Sequence, residues 1–197
     1  MGPAQDGRCD WCGDDPLYVA YHDSEWGVPC RDEEALFEFL ILEGMQAGLA
    51  WITILRKRDA FRAAFADFDA ERVARFDDAD RARLLADAGI VRNRAKIDAA
   101  IGNARITLDL RSRGGGLRER LWSHVDGEPV QNRFRRLADV PAKDARAEAM
   151  SKDLKSLGMK FVGPTICYAL MQAAGLVNDH LVGCPRHDAC AALAGTG

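Results

Sequence analysis

Apolar residues recur along most of this chain at intervals of three and four, the spacing that lines one face of an α-helix, and almost nowhere at the two-residue interval of a half-buried strand. In RDEEALFEFLILEGMQAG, residues 31–48, Leu36, Phe37, Leu40 and Ile41 form such a stripe. Asp32 stands where a side chain caps the first turn, with acidic residues behind it. The small residues of EGMQAGLA mark a join, after which LAWITILRKRDAFRAAF continues as a second helix. FDAERVARF and DDADRARLLADAG each start on aspartate and predict two short helices, the second stopped by Gly89 in a left-handed conformation. A longer amphipathic helix is predicted over Arg92–Ser112, broken by RGGG at 113–116, a surface turn between lobes. LRERLWSHV reads as helix, DGEPVQNRFRRLADVPAKD as loop, and ARAEAMSKDLKSLG and PTICYALMQAAGLV as two more helices. The pattern predicts an all-α fold without internal repeat. A single compact unit over residues 1–197 is expected, with room in the pattern for two lobes.

Composition narrows the setting. The 197 residues are 48% hydrophobic, enough for one substantial core, and no run of about 18 apolar residues appears. MGPAQDGRCDW lacks the apolar stretch of a secretory signal, so a cytoplasmic location and no membrane partner are expected. Six cysteines in a chain of this apolar content, in a reducing compartment, point to metal ligation or burial rather than disulfides. A net charge of −3 speaks against a broadly basic nucleic-acid binder while leaving room for a local basic patch.

Three constellations carry chemistry. LGMKFVGPT, residues 157–165, has the grammar of a helix-hairpin-helix spanning about 145–175: Gly158 stops one helix, Gly163 permits a tight turn, and Pro164 pre-sets the next helix. Unpaired backbone N–H groups and the positive end of the following helix would form a phosphate site, with Lys152, Lys155 and Lys160 supplying local charge. An ordinary helix corner with solvated lysines is the competing reading. Second, His180 and Cys184 are spaced to share one face of a helical turn and need two further soft ligands for a tetrahedral zinc site. Cys9, Cys12 and His22 near the N-terminus, and a second pair His187/Cys190, allow several sets. Third, Trp11, Tyr18, Tyr21, Trp26 and Trp51 crowd the first quarter of the chain, either as core or as walls for a flat ring. Glu43 falls on the inward stripe of the first helix, where a carboxylate needs a partner: an arginine of the core, or a ligand.

The segments DPLYVAYHDSEWGVP, LEGMQAGLAWITIL, LGMKFVGPTICYALMQAAGLVNDH and HLVGC strongly resemble the 3-methyladenine DNA glycosylase I family, a match running from about Arg8 to Cys184. The resemblance implies an all-α, helix-hairpin-helix DNA glycosylase-like fold with a zinc site joining the N- and C-terminal segments through Cys9, His22, His180 and Cys184. Four protein ligands would leave no open position for water, so the zinc would be structural, one per chain. The implied activity is hydrolysis of the N-glycosidic bond of 3-methyladenine in double-stranded alkylated DNA, by a monomer, after base flipping. Glu43 would be the catalytic carboxylate, with Trp11, Tyr18, Tyr21, Trp26 and Trp51 walling the base pocket and free 3-methyladenine as product. Gln46 and Leu49 fall in the loop that fills the gap left by the base, while Lys160, Gly163 and Thr165 are the hairpin's DNA contacts. Bifunctional relatives carry a lysine just after the hairpin; GPTICYA has none, so no strand cleavage is expected. Superfamily members place an aspartate beyond the hairpin, and Asp179 lies in that region. The alternatives are a non-catalytic helix-hairpin-helix DNA-binding protein and a zinc-dependent hydrolase.

Overall fold

The computed structural model describes residues 7–194. The expectation about a leader rests in part on Met1–Asp6, which lie outside them, as do residues 195–197. The chain runs through Pro16–Ser24 (α1), Glu33–Gln46 (α2), Trp51–Leu55 (α3), Arg58–Ala64 (α4), Ala70–Ala74 (α5), Asp78–Ala86 (α6), Arg94–Ser112 (α7), Leu117–Trp122 (α8), Ala145–Ser156 (α9), Pro164–Ala173 (α10) and Pro185–Leu193 (α11). Two short strands, Val130–Gln131 (β1) and Val177–Asn178 (β2), pair in parallel.

The helices start where polar side chains satisfy their first free N–H groups. Asp32 accepts from Ala35 N at 2.8 Å and Asp144 from Ala147 N at 2.8 Å, while Asp77 and Asp80 form a capping box at the head of α6. α2 is the central element: every residue from Leu36 to Met45 is buried, so this helix is enclosed on all sides rather than striped. Around it lies one contiguous hydrophobic cluster contributed by α1 to α10. α7 packs on α2 and α5, and α10 packs on α2 and α9.

Several details depart from the sequence pattern. LAWITILRKRDAFRAAF is two helices, parted at Arg56 and Lys57, because tertiary partners claim the basic run between its apolar halves. Lys57 Nζ reaches the carbonyls of Ala88 and Gly89, and Arg58 turns toward Glu25 and Glu38. Gly89 is not left-handed, and α6 already ends at Ala86. A Cβ at Gly89 would lie 3.0 Å from that of Ala60, so the position serves close packing. The helix beginning at Pro164 stops at Ala173, and Gly175 at φ +68° lets the chain cross so near Val28 that any Cβ would strike its backbone at 2.3 Å. That sharp exit sends Val177–Asn178 into the strand pair, which with an isolated bridge between Val182 and Cys184 is the β structure that the all-α expectation lacks among the described residues. In the hairpin, Gly158 is left-handed at φ +94° as predicted, but the second left-handed residue is Phe161 at φ +55°, not Gly163 at φ −66°. His180 and Cys184 do not share a helical turn; they sit on a loop, with Cys184 as the N-cap of α11.

Candidate functional site

Four segments far apart in sequence meet at one cavity of about 220 Å³. Trp11 comes from the N-terminal 3-10 turn, Tyr18 and Tyr21 from α1, Trp26 from the loop after it, Glu43 and Gln46 from the end of α2, and Trp51 from the start of α3. Opposite them stand Ala169 and Gln172 of α10, Asp179 and Leu181 of the loop after β2, and Leu137 and Val140. All five aromatic residues singled out in the sequence therefore converge with Glu43 on one space. Their rings touch one another: Trp11 meets Tyr18 at 5.0 Å and Trp26 at 4.9 Å edge to face, and Tyr21 lies tilted against Trp51 at 5.5 Å, centroid to centroid.

The polar atoms of this space are left open. Glu43 is 3% exposed, and its Oε2 has no hydrogen-bond partner; the indole Nε1 atoms of Trp11 and Trp51 are likewise buried without one. Buried polar groups are ordinarily satisfied because an unmade hydrogen bond retains the full desolvation cost. Three orphans around one cavity mark a place for a ligand that accepts from two indole N–H groups and meets a carboxyl. The competing reading of Glu43 as a core ion pair fails on a direct comparison. Glu38, on the same helix, holds Arg58 Nε at 2.7 Å and Arg62 Nε at 2.9 Å, whereas Glu43 has no cation among the described residues. Burial alone pushes the Glu43 carboxyl up to about 8. Burial likewise raises Tyr18 to about 12, with Cys12 and Glu43 adding to it.

Asp179, 2% exposed, lines the same cavity in a different state. Its carboxylate accepts from Tyr168 Oη at 2.7 Å, Gln172 Nε2 at 2.8 Å and Asn132 Nδ2 at 2.6 Å, three neutral donors that fix its orientation. Leu137, Val140, Ala169, Gln172 and Leu181 had no signal in the sequence pattern, because Leu137, Val140 and Leu181 lie outside the long helices and strands and the other two on a helix whose rotation only packing decides.

Beside the cavity, Cys9, His22, His180 and Cys184 form a fully buried cluster whose ligand atoms lie within 4.8 Å of one another. His180 Nδ1 lies 3.7 Å from both Cys9 Sγ and Cys184 Sγ, and His22 Nε2 lies 3.6 Å from Cys184 Sγ. The other ring nitrogens are each taken: His22 Nδ1 donates to Asp23 at 2.8 Å and His180 Nε2 to the Trp26 carbonyl at 2.9 Å. Both lone pairs are thus turned into the cluster, the arrangement that orients metal-bound imidazoles. Cys12 and Cys190 are buried nearby but outside the four-residue group, and His187 is engaged with Asn132 and Asp188.

The hairpin stands at the head of α10, whose later residues Ala169 and Gln172 reach the cavity. Thr165 and Lys160 are exposed, and a Cβ at Gly163 would meet nothing within 4 Å. Two buried residues of α7 brace this region. Asn103 bonds both the N–H and the carbonyl of Lys160 at 3.0 Å, and Lys96 Nζ donates to the carbonyls of Met45 and Ala47 at 2.7 Å. The loop carrying Gln46 and Leu49 is therefore tied to the same helix as the hairpin; Gln46 lines the cavity, and Leu49 is 42% exposed.

The family model for methyladenine glycosylase matches residues 11–187, a span that includes every residue lining the cavity. The chain belongs to the methyladenine glycosylase family. It is 51% identical over 177 residues to DNA-3-methyladenine glycosylase 1 of Escherichia coli (strain K12), covering 90% of this chain and 95% of that one. The Haemophilus influenzae DNA-3-methyladenine glycosylase is 43% identical over 178 residues, covering 90% and 96%. Among solved structures, a 3-methyladenine DNA glycosylase I at 50% identity superposes with a TM-score of 0.89, covering 90% of this chain and 98% of that one. The Staphylococcus aureus enzyme, whose structure describes the basis of its 3-methyladenine recognition, superposes with a TM-score of 0.88 at 39% identity, covering 92% and 97%. The methyladenine glycosylase fold is thus the fold of this chain, with its largely helical body.

Proposed function

We propose that this chain is a DNA-3-methyladenine glycosylase that hydrolyses the N-glycosidic bond of 3-methyladenine in alkylated double-stranded DNA, acting as a monomer on a base flipped into the aromatic cavity. The observation that carries this reading is the set of unpartnered groups, Glu43 Oε2 and the indole N–H groups of Trp11 and Trp51, around one aromatic space. Methylation at N3 makes the base cationic and weakens its bond to the sugar. Aromatic faces attract a cation, and a carboxyl without a counter-ion gains most from one. Unmodified adenine, neutral and firmly bonded, gains less, so selectivity is differential binding to the charged leaving base. Asp179, pre-oriented by three neutral donors, is the second carboxylate of the cavity, suited to offset positive charge on the sugar as the bond breaks.

The helix-hairpin-helix formed by α9, α10 and their connection would take the DNA backbone. Thr165 and Ala169 lie four residues apart on one helix, a rise of about 6 Å, so a phosphate at the hairpin and a base in the cavity belong to the same stretch of strand. Gly163 needs no special conformation and has open space before it, which fits close approach by a ligand's backbone. No lysine follows in GPTICYA, so the reaction is hydrolysis without a lyase step.

The buried cluster fits a structural zinc. Zinc–sulfur bonds of about 2.3 Å and zinc–nitrogen bonds of about 2.0–2.1 Å at tetrahedral angles place sulfur and nitrogen about 3.5 Å apart, close to the 3.6 and 3.7 Å found. The residues that would hold it are Cys9, His22, His180 and Cys184, and the metal would supply a cross-link between chain ends rather than an activated water. Incubating the protein with methylated duplex DNA and quantifying released bases tests the whole reading: 3-methyladenine should appear in solution while the strands stay intact. Recovery of bound DNA without free base would leave only a binding module.

A further inference from the structure

The segment from Asn132 to Val140 closes the far wall of the cavity and carries a charge pattern that the base-binding reading does not use. It is anchored at several points. β1 ends just before it, Asn132 N donates to the Asn178 carbonyl at 3.3 Å, and Asn132 Nδ2 bonds Asp179 at 2.6 Å. His187 Nε2 bonds the Asn132 carbonyl at 2.9 Å, and Val182 N donates to the Phe134 carbonyl at 2.8 Å. Its other end brings Leu137 and Val140 to the cavity, with Leu137 44% exposed at the mouth. Between these anchors Asn132 and Phe134 are half-buried while Arg133 and Arg135 are exposed, the alternation of an extended chain lying on a surface. Arg136 is held by Asp139 at 2.7 Å, but among the described residues Arg133 and Arg135 have neither an ion pair nor a hydrogen bond.

We propose that Arg133 and Arg135 form a second phosphate clamp, on the segment that brings Leu137 and Val140 to the cavity, that grips the DNA strand as it leaves the flipped nucleotide. This rests on the reading of the cavity as a flipped-base pocket. A flipped base stays bonded to its strand, so the neighbouring phosphates must pass over the cavity mouth. Leu137 stands at that mouth, and Arg133 and Arg135 precede it by four and two residues; Arg135, about 7 Å of extended chain away, falls within the ~8 Å over which exposed charges act at physiological salt, and Arg133, about 13 Å away, serves a phosphate farther along the strand. The backbone beneath them is fixed on both sides, so little main-chain freedom is lost on contact. In a chain of net charge −3, two free guanidinium groups beside the mouth give the local positive field that phosphate recognition requires.

The test is the salt dependence of binding to an undamaged duplex and to a duplex with a stable abasic-site analogue. Each phosphate neutralised contributes about 0.9 to the slope of log affinity against log salt, so Arg133→Gln/Arg135→Gln should lower it by about 1.8 on both duplexes. Free 3-methyladenine binding and the melting temperature should hold, because neither side chain touches the cavity or a partner. A control pair at exposed positions outside the cavity lining, Arg72→Gln on α5 and Arg75→Gln at its C-terminal cap, removes the same charge and should leave the slope in place. An unchanged slope in the first variant, as expected of a surface made for an acidic protein, overturns the clamp, and so does an equal drop in the control pair. Failure of the parent to bind duplex DNA at all sinks the glycosylase reading itself, an outcome distinct from parent and variant binding alike.

Discussion

Replacing Glu43 by glutamine keeps its volume and part of its hydrogen bonding while removing the ability to ionise. The free protein holds this carboxyl at about 8 through burial alone, so at pH 7 it is mostly protonated. Driving it to the anion against that shift costs roughly 1.4 kcal/mol per pH unit. A hydrogen bond to a charged group returns about 1.5–3 kcal/mol, with a cation–π contribution from the surrounding rings on top. The rings remain in the variant, so the net advantage of glutamate over glutamine for a cationic base is about 0.1–1.6 kcal/mol, or up to roughly a 15-fold loss of affinity in the variant. Titrating 3-methyladenine against intrinsic tryptophan fluorescence, beside single-turnover release from methylated DNA, measures the loss in both binding and excision. Free 3-methyladenine leaves the sugar with the bond's electron pair and is neutral, so a proton passed from the Glu43 carboxyl to the bound base stays within the complex. A variant that binds and excises like the parent would refute the reasoning.

The same residue gives a signature in stability. A carboxyl raised from 4.5 to about 8 favours the folded state fully below pH 4.5, and that contribution is lost as pH rises through about 8. The ligand-free parent should lose stability over this window, by up to ~5 kcal/mol if the unfolded chain titrates normally, and Glu43→Gln should lack that component. Equal pH profiles for the two proteins would mean that Glu43 is paired. Trp11→Phe removes an indole N–H that has no partner in the protein, so it should weaken base binding by about 1 kcal/mol with little change in melting temperature. A loss of stability without loss of affinity would make Trp11 a packing residue. Gly163→Val adds bulk where no protein atom lies within 4 Å, so the fold and free-base binding should survive while affinity for all duplexes falls, as filter binding or anisotropy would report. Metal analysis should find one zinc per chain, and Cys184→Ala or a strong chelator should lower the melting temperature sharply. A metal-free protein that melts like the untreated one would remove the zinc from the account.

Much of the fold was legible because its helices begin and end on strong local signals: Asp32 and Asp77 as caps, Pro164 in a first turn, Gly158 as a stop. The errors fall where long-range partners decide. Nothing local in RKR says that Lys57 will reach the carbonyls of Ala88 and Gly89 and split the helix. Nothing in GLVND announces a strand partner 47 residues upstream. Phe161 could not be read as left-handed, because a bulky residue enters that region only where packing holds it; here Asn103 clamps Lys160 and the Lys96 ammonium lies 6.0 Å from the Phe161 ring. The aromatic residues and Glu43 could be found because a carboxylate on an inward stripe breaks the rules of a core. Leu137 and Val140 break none, and an irregular segment gives no period from which to assign a wall.

The metal cluster and the cavity are two faces of the same short stretches of backbone. Tyr21 faces the cavity and His22 the cluster; Asp179 faces the cavity and His180 the cluster; the Trp26 ring lines the cavity while its carbonyl holds His180 Nε2. The Trp26 and His180 rings meet edge to face at 4.7 Å. Whatever fixes the four ligands therefore fixes one wall of the cavity as well, including the only carboxylate there besides Glu43. The opposite wall, Glu43, Gln46 and Trp51, hangs on α2 and α3 and is braced through Lys96 of α7, with no ligand among its residues. The hairpin is held by Asn103 of the same helix. Removing the metal should accordingly divide the activity: base affinity collapses because one wall loses its anchor, and the share of duplex affinity due to Arg133 and Arg135, whose segment is anchored on Asp179 and Val182, falls with it, while the hairpin's share declines far less. Parallel loss of base affinity and the hairpin's share would show that the cluster stabilises the molecule as a whole rather than shaping the pocket.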